Sequence, residues 1–400
     1  MRIIFLGLAI PNLDDYLNMF TELMVEFRDK GHEVVVVGPS LDDNRIGLHV
    51  ENDIQVLRVP TMKLFGVGKF QKGLANIMLP YQYKKALKKS GIDLKFDLII
   101  MPTPPITLAS AAAWLKKKNP TSKLYLVLRD IFPQNAVDLK MMSDGGMIFN
   151  YFRKQEVKMY GASDVIGCMS QGNIDFVVKQ NPTIDTKKLR LLPNWSILLP
   201  LSTNEEVAQL KKQYGLEDKF VVLFGGNIGI PQKMVNMVAL AKACLDIKDI
   251  FFLIIGVGNE KENLKNLIES ENLTNTKLIG PLSRADFFDA LQIAEVGLVS
   301  LSEDFTIPNI PSKSLVYYNT KKPILAALDA NTDFGQILDD NDCGVWAGST
   351  DTPLLKEKLM SLYNDEERRH QMGLNGYNYF KSSLLTHMAY DSILEHISEN

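Results

Sequence analysis

The chain has 400 residues, of which 46% are hydrophobic and 23% are charged, and its formal net charge is −3. A chain of 400 residues is too long to fold around one hydrophobic core of ordinary size, so two domains are expected. The near-neutral charge argues against nucleic acid as the main partner, because that use normally requires a strongly basic surface. The three cysteines are far apart and the five histidines form no ligand motif, which argues against a zinc enzyme.

The start of the chain has none of the marks of a targeting segment. A short apolar run at 2–6 leads directly into a loop, without the pattern of a signal peptide. No uncharged apolar run approaches the roughly 20 residues needed to span a bilayer. We therefore expect a cytoplasmic protein.

In the first half, short apolar runs alternate with amphipathic stretches such as 14–30. Strands that are apolar throughout and separated by helices predict a parallel sheet covered on both faces. The predicted strands are 2–8, 33–38, 55–59, 96–101, 123–128, 164–169 and 189–192.

The same pattern repeats in the second half, after Pro193 and Pro200 interrupt it. The prediction is therefore two doubly wound α/β domains, 1–195 and 196–380, with a helix at 381–400 that packs back onto the first. Strands are predicted at 220–224, 250–255, 277–280, 296–301, 323–327 and 344–346, and helices at 234–245, 260–268, 284–294 and 312–320.

A glycine-rich segment, Gly225-Gly226-Asn227-Ile228-Gly229, ends the first strand of the second domain. Glycines between a strand and a helix let backbone N–H groups approach a phosphate. The alternative is a tight turn with no ligand. A second pair, Gly256 and Gly258, closes the next strand at the same predicted sheet edge.

Lys313 is the cation that we expect beside this turn. Pro311 and Ser312 suit the start of a helix, and Lys313 follows in its first turn. A cation at the positive end of a helix dipole is easier to explain if an anion binds there. The alternative is a solvated surface lysine.

These motifs resemble glycosyltransferase family 4. The similarity rests on Gly225–Gln232, Gly256-Val257-Gly258, Ile279–Arg284, Pro311-Ser312-Lys313, Lys322-Pro323, Leu128–Gln134 and Leu192–Trp195. It is closest to the bacterial branch that builds O-antigen and capsule repeats, including N-acetyl-L-fucosamine transferases. The resemblance implies a GT-B fold with two Rossmann-like domains and an interdomain cleft. It also implies a retaining, metal-independent transfer from a UDP-sugar, without a cofactor.

The resemblance assigns the donor to the second domain and the acceptor to the first. The implied donor-binding residues are Gly225, Gly226, Asn227, Gln232, Gly256, Gly258, Leu282, Ser283, Arg284, Pro311, Ser312 and Lys313. On the acceptor side we expect Gly7, Asn12, Asp14 and Arg129. The Arg and Lys that clamp the diphosphate in many members fall on Asn227 and Gln232, and the paired glutamates fall on Pro308 and Val316.

Asp130 is the carboxylate that we expect to act with Lys313 in catalysis. It follows the strand at 123–128, which places it at the carboxyl edge of the sheet. There it would orient the acceptor or a sugar hydroxyl, while Lys313 stabilises the leaving diphosphate. The alternatives are a salt bridge or a helix cap.

The segment 63–95 contains eight lysines and one acidic residue, Asp93. Phe70, Leu74, Ile77, Met78 and Tyr81 recur at helical spacing. An apolar stripe beside Lys84, Lys85, Lys88 and Lys89 suits an anionic membrane surface, and a buried core helix with a basic face is the alternative. An undecaprenyl-diphosphate-linked acceptor favours the first interpretation, with the protein bound peripherally to the inner face of the membrane.

Two other functions share this architecture. One is a UDP-sugar 2-epimerase, although no histidine lies near the predicted site. The other is a catalytically silent partner that binds a nucleotide sugar. The sequence Asp340-Asn341-Asp342 is interpreted as a polar turn rather than as a metal site.

Overall fold

The computed structural model describes residues 1–40, 45–64 and 66–399, without the side chains of Lys69, Phe70 and Arg284. The described chain forms two compact units, which are Met1–Ile197 with the segment from Thr386, and Leu198–Leu385. The predicted contribution of Phe70 to the apolar stripe and of Arg284 to the donor site lies outside the described residues.

The first unit has an eight-stranded sheet in the order β3-β4-β2-β1-β5-β6-β7-β8, parallel except for β3 on β4. Its strands are β1 Arg2–Leu6, β2 Glu33–Pro39, β3 Gly47–Glu51, β4 Ile54–Val59, β5 Leu98–Pro102, β6 Lys123–Leu128, β7 Val165–Cys168 and β8 Leu189–Leu191. Its first six helices are α1 Met19–Asp29, α2 Lys69–Lys89, α3 Ala109–Lys118, α4 Gln134–Asp138, α5 Met147–Ala162 and α6 Gln171–Gln180.

The second unit has a six-stranded parallel sheet in the order β11-β10-β9-β12-β13-β14. Its strands are β9 Phe220–Asn227, β10 Ile250–Val257, β11 Thr276–Ile279, β12 Val296–Ser300, β13 Ile324–Leu328 and β14 Gly344–Gly348. Its helices are α7 Asn204–Gln213, α8 Val235–Ala243, α9 Lys261–Ser270, α10 Arg284–Gln292, α11 Ser314–Asn319, α12 Phe334–Asp340, α13 Thr352–Asn364 and α14 Glu366–Ser383.

The inner strands of both sheets are buried on both faces, as their unbroken apolar runs predict. In the second unit, helices cover each face of the sheet and bury two separate apolar clusters. The order of strands brings the carboxyl ends of β11, β10, β9 and β12 to one edge. A ligand of a parallel α/β sheet binds at such an edge.

A last helix, α15 (Thr386–Ser398), returns the chain to the first unit. Its Tyr390 ring meets Phe27 of α1 at a centroid distance of 4.8 Å, and its His396 ring accepts or donates a 2.8 Å hydrogen bond with the Tyr125 hydroxyl. The return begins at Thr386, because α14 continues in the second unit as far as Ser383.

The start of α1 differs from the prediction. The helix begins at Met19, and Asn18 caps it by accepting from the backbone N–H groups of Phe20 and Thr21. Neither Asn12 nor Asp14 caps α1, because the chain first makes a turn in which the Asn12 carbonyl accepts from the amides of Asp15 and Tyr16.

Candidate functional site

Lys313 has an unusual environment in the second unit. Its Nζ atom is buried and has no hydrogen-bond partner within the described part of the chain. The atom lies 3.5 Å from the centroid of the Phe224 ring, on β9. Burial lowers the pKa of this lysine to about 7. A buried ammonium without an acceptor is costly, which indicates a place for an anion.

Gly226 lies next to this ammonium. A side-chain carbon built on Gly226 would stand 4.0 Å from both Cε and Nζ of Lys313, and apart from the two adjoining residues no other described residue would be nearer. The φ angle of Gly226 is 124°, in the region that favours glycine. The space above Gly226 is therefore open on the side that the lysine faces.

The glycine segment is a continuation of the strand rather than a turn. The prediction ended the strand at Phe224, but β9 continues to Asn227, paired with β10 as far as Val257. The Gly225 amide donates to the Tyr317 hydroxyl at 3.1 Å, and the Ile228 amide donates to the Val257 carbonyl. The amides of Gly225 and Ile228 are thus already used within the protein.

Gly256 and Gly258 make this extension of the strand possible. A β-carbon on Gly256 would lie 1.9 Å from the carbonyl oxygen of Gly226. On Gly258, it would lie equally close to the carbonyl oxygen of Ile228. The second glycine pair therefore allows the backbones of β9 and β10 to approach closely. This role is distinct from the predicted contact with the sugar donor.

Gln232 and Asn227 fix the end of the strand. The Gln232 Oε1 atom accepts from the Gly229 amide at 3.1 Å and from the Asn227 side chain at 3.2 Å. These two positions, where the family resemblance expects cationic side chains, thus form a neutral network that holds the loop. Lys313 supplies the positive charge near Gly226.

A carboxylate that the prediction missed lies beside this loop. Glu303 follows β12 and forms an ion pair with Lys233. The adjacent Ser302 amide donates to the Pro231 carbonyl at 2.9 Å, which fixes this segment beside the glycine loop. The signal in the sequence was the acidic pair Glu303-Asp304, directly after a buried strand.

The remaining predicted donor residues have structural contacts. Ser283 caps α10 by accepting from the Asp286 amide at 3.1 Å, and Leu282 packs against an apolar cluster. Pro311 accepts from the Ser314 amide and hydroxyl, while Ser312 is exposed. Arg284 begins α10, and its side chain is outside the described residues.

The first unit has a pocket of about 840 Å³ at the carboxyl ends of β1, β2 and β4. Most of its lining is apolar, and Lys63 is its one charged residue among those described. The lining residues are Leu8, Ala9, Ile10, Pro11, Tyr16, Asn18, Pro39, Ser40, Ile46, Pro60, Thr61, Met62, Lys63 and Leu64.

A buried ion pair supports one wall of this pocket. Arg58 is fully buried and donates to both oxygens of Glu51 and to the backbone carbonyls of Ile10 and Pro11. Glu51 also accepts from the Leu13 amide at 3.0 Å. Burial raises the pKa of Glu51, but the bonds from Arg58 and Leu13 outweigh it and hold the pKa below its usual range.

The predicted acceptor residues of the first loop border this pocket rather than line it. A β-carbon on Gly7 would collide with Ile10 and Phe5, and the Gly7 carbonyl accepts from Tyr83. Asn12 is buried, and Asp14 is exposed and accepts from the Asn52 amide at 2.7 Å. Their described contacts are structural.

Asp130 and Arg129 follow β6 and have different environments. Arg129 is buried, donates to the carbonyls of Leu192 and Pro193, and stacks on Trp195 at 4.5 Å. Burial lowers its pKa to about 9. Asp130 is half-buried, and burial raises its pKa to about 6 although Arg129 opposes the shift. Arg129 therefore holds the chain at 192–195, whereas the carboxylate of Asp130 has no hydrogen-bond or salt-bridge partner among the described residues.

Helix α2 presents both of its predicted features at the surface. Leu74, Ile77, Met78 and Tyr81 are exposed, whereas Ala75, Leu79, Tyr83 and Leu87 form the buried face. Lys85, Lys88 and Lys89 are exposed, and Lys84 is half-buried beside Ser110. Within the described ranges, no helix is both long and apolar enough to cross a membrane.

The Asp340-Asn341-Asp342 segment forms part of the protein scaffold. Both oxygens of Asp342 accept from Arg368, and Asp340 accepts from Gln336 at 2.6 Å. These contacts account for the two carboxylates at the end of α12.

Comparison with known proteins shows that this chain is similar to glycosyltransferases. Residues 206–379 match the family described as "Glycosyl transferases group 1". The chain is 22% identical over 333 residues to "Probable glycosyltransferase WbjE" of Pseudomonas aeruginosa, covering 82% of this chain and 78% of that one. It is 24% identical over 177 residues to alpha-D-kanosaminyltransferase of Streptomyces kanamyceticus, covering 43% and 44%.

A solved structure resembles the whole chain. Anabaena Alr3699/HepE, crystallised with UDP and glucose, has a TM-score of 0.75 and 13% identity, with full coverage of both chains. The fold of this protein is GT-B, with two parallel-sheet α/β units. The family match and the relatives support its assignment to the glycosyltransferases.

Proposed function

We propose that this protein transfers a sugar from a UDP-sugar to a lipid-diphosphate-linked sugar acceptor, in the assembly of a capsule or an O-antigen. The observation that carries the donor half is the buried, unpartnered Nζ atom of Lys313 beside Gly226. The complex of HepE with UDP supports the choice of nucleotide. The kanosaminyltransferase supports an amino sugar, and we propose N-acetyl-L-fucosamine or a related N-acetyl amino sugar.

The diphosphate lies, in this proposal, over Gly226 with Lys313 as its main cation. Gly226 has no side chain to obstruct a phosphate, and the lysine has three N–H donors with no acceptor in the described protein. A bound diphosphate would supply those acceptors and restore the charged form of the lysine. In the transfer, the same charge would stabilise the phosphate that departs.

The acceptor binds, in this proposal, to the first unit at the carboxyl ends of its strands. The pocket beside β1, β2 and β4 supplies an apolar surface with one cation, Lys63. Asp130 supplies a carboxylate that positions an acceptor or sugar hydroxyl. Arg129, buried next to it, anchors the segment at 192–195.

The proposed reaction is retaining and needs no metal. The bond between the sugar C1 and the diphosphate oxygen breaks, and the acceptor oxygen bonds to C1 on the same face. The acceptor proton passes to the departing phosphate, so UDP and the extended glycan are the products. Positioning of the hydroxyl and stabilisation of the leaving charge supply the catalysis.

The acceptor lipid places the protein at the inner face of the cell membrane. The exposed apolar residues of α2, with Lys84, Lys85, Lys88 and Lys89 beside them, support peripheral attachment to anionic lipid.

Titration calorimetry with UDP tests the donor half. Lys313→Met removes the cation but keeps most of the side-chain volume, and Lys321→Met is the matched control, since Lys321 lies over Tyr377 on the same unit. We expect Lys313→Met to weaken UDP binding roughly 10- to 150-fold, the range for a lost charged hydrogen bond. The melting temperature should be unchanged or higher, because a buried ammonium is lost. Wild-type affinity in Lys313→Met would reject the site.

Mass spectrometry of UDP-sugars incubated with short lipid-linked acceptors tests the transfer. Appearance of a glycan longer by one sugar, dependent on Lys313, is the expected result. A UDP-sugar that keeps its mass but changes its proton NMR spectrum without acceptor would instead indicate an epimerase. Binding of UDP without either product would indicate a silent partner subunit.

A further inference from the structure

The first turn of α5 carries large apolar side chains into solvent. Met147 is 91% exposed and Ile148 is 64% exposed, and Tyr151 follows one turn later on the surface. They come directly after Gly145 and Gly146. The buried residues of this helix, Glu156, Met159 and Tyr160, belong to its second half. Core packing therefore does not explain the apolar residues of the first turn.

This turn belongs to the same helical layer as the exposed stripe of α2. Helix α3 packs against both α2 and α5, and the short 3-10 helix Ile106–Leu108 also contacts both. The stripe of α2 and the first turn of α5 thus lie on one side of the sheet of the first unit. We call them together the docking face, which consists of Leu74, Ile77, Met78, Tyr81, Met147, Ile148 and Tyr151.

The charge of this layer is opposite in sign to that of the whole chain. Helices α2, α3 and α5 contain twelve lysines and arginines and one carboxylate, Glu156, which is buried and paired with Arg153. The whole chain has a net charge of −3. The exposed lysines of the layer are Lys72, Lys85, Lys88, Lys89, Lys117, Lys118, Lys154 and Lys158.

We propose that the first turn of α5 is a second membrane anchor, which enters the bilayer together with the stripe of α2. The occupant of the docking face is an anionic lipid surface. Large apolar side chains enter the boundary between headgroups and acyl chains, and the lysines of α3 and its neighbours contact anionic headgroups. Two separated apolar contacts would fix the orientation of the first unit on the membrane. With one helix alone, the unit could rotate about the axis of that helix. This inference rests on the proposed membrane-bound acceptor.

Co-sedimentation with vesicles tests the anchor. The full-length chain is mixed with vesicles of phosphatidylglycerol and phosphatidylcholine, and with phosphatidylcholine alone. Ile148→Glu should weaken binding to the anionic vesicles by about tenfold or more, because a carboxylate replaces an inserted apolar group beside anionic lipid. Val157→Glu is the matched control. Val157 is 52% exposed on the same helix, and nine residues, about two and a half turns, place it opposite Ile148.

A second measurement detects insertion directly. The fluorescence of Ile148→Trp should shift to the blue with anionic vesicles, and that of Val157→Trp should shift much less. Wild-type vesicle binding by Ile148→Glu would overturn the inference, as would an equal loss in Val157→Glu. The inference would also be overturned if the wild type were a dimer and Ile148→Glu a monomer in sedimentation velocity, with no effect on vesicle binding. The occupant of the docking face would then be a second copy of the chain.

The UDP titration separates this inference from the proposed function. Ile148→Glu should bind UDP like the wild type, because the residue lies in the other unit from Lys313. In a parallel variant, Lys84, Lys85, Lys88 and Lys89 of α2 are all changed to Glu. Loss of vesicle binding in that variant, without loss in Ile148→Glu, would leave the proposed function standing and reject the second anchor.

Discussion

The Nζ atom of Lys313 lies 3.5 Å from the centroid of the Phe224 ring, and the structure gives it no hydrogen-bond acceptor among the described residues. The face of an aromatic ring attracts a cation without using its N–H groups. Phe224 therefore positions the side chain beside the end of β9 and leaves its donors for a ligand. Because a bound donor would contact the Lys313 ammonium, the protonation of Lys313 should report donor binding.

Binding of a UDP-sugar should take up a proton. In the free protein, the pKa of Lys313 is about 7, so at pH 8 most of the side chain is neutral. A diphosphate favours the ammonium and raises that pKa. Calorimetry with UDP-glucose in buffers of different ionisation enthalpy should give an uptake approaching one proton at pH 8, and little at pH 6. Lys313→Met should show no such uptake, and an equal uptake there would assign the proton to another group.

Gly256→Ala should damage the donor site without unfolding the protein. The new methyl group would stand 1.9 Å from the Gly226 carbonyl oxygen, so the end of β9 must move. We expect a loss of about 1–3 kcal/mol in stability, typical of overpacking, and weaker UDP binding. Gly280→Ala is the control, because among the described residues beyond its chain neighbours its methyl group would meet only the flexible end of Lys261, at 3.7 Å. Equal UDP affinities in the two variants would contradict the prediction.

Glu51→Gln should destabilise the first unit and loosen the pocket wall. Arg58 is fully buried, and the substitution leaves its charge without a carboxylate. Breaking such a pair costs about 3–5 kcal/mol in the free energy of unfolding, which urea denaturation would measure. Glu33→Gln breaks the exposed pair with Arg2 and should cost less than about 1 kcal/mol. A similar cost in both variants would show that burial of the pair is unimportant.

Asp130 should set the acidic limb of activity. Burial raises the pKa of its carboxyl to about 6. Below that pH the carboxylate is protonated and loses the negative charge that the proposed contact with a hydroxyl uses. We expect kcat/KM to fall as pH drops through 6, and the low activity of Asp130→Asn to lack this limb. An unchanged acidic limb in the variant would remove Asp130 from the mechanism.

The stability of Asp130→Asn gives an independent check. Because folding raises this pKa, the folded chain binds more protons than the unfolded chain between about pH 4 and 6, and stability falls as pH rises through that window. The variant lacks this cost. The free energy of unfolding of Asp130→Asn should therefore exceed that of the wild type by the largest amount above pH 6, and the difference should disappear below about pH 4.

The fold was predictable because the inner strands of both sheets are parallel, buried and written as unbroken apolar runs. The strand β3 escaped prediction for the opposite reason. It is antiparallel, at the edge of the sheet, and several of its side chains are exposed, so its sequence has no long apolar run. Edge strands depend on pairing with a neighbour, which the local sequence does not encode.

The candidate site was predictable in its position but not in its contacts. Strand order brought Lys313 to Gly226, as the glycine motif and the family resemblance suggested. The Tyr317 hydroxyl that occupies the Gly225 amide was not foreseen, because the two residues are 92 positions apart and meet only in the folded unit. Glu303 was missed for a similar reason, since its ion pair with Lys233 depends on how the segment after β12 folds back.

The closing helix α15 has a consequence for biosynthesis. The sheet of the first unit is complete at residue 191, yet the helix that covers Phe27 and bonds to Tyr125 is made only after residues 198–385. At about 5–20 residues per second, this interval lasts roughly 10–40 s on a ribosome. During that time Phe27 has no Tyr390 against it. The unit whose synthesis begins first is therefore the last to be completed, and a ribosome that stalls in the second unit leaves the first with an uncovered apolar face.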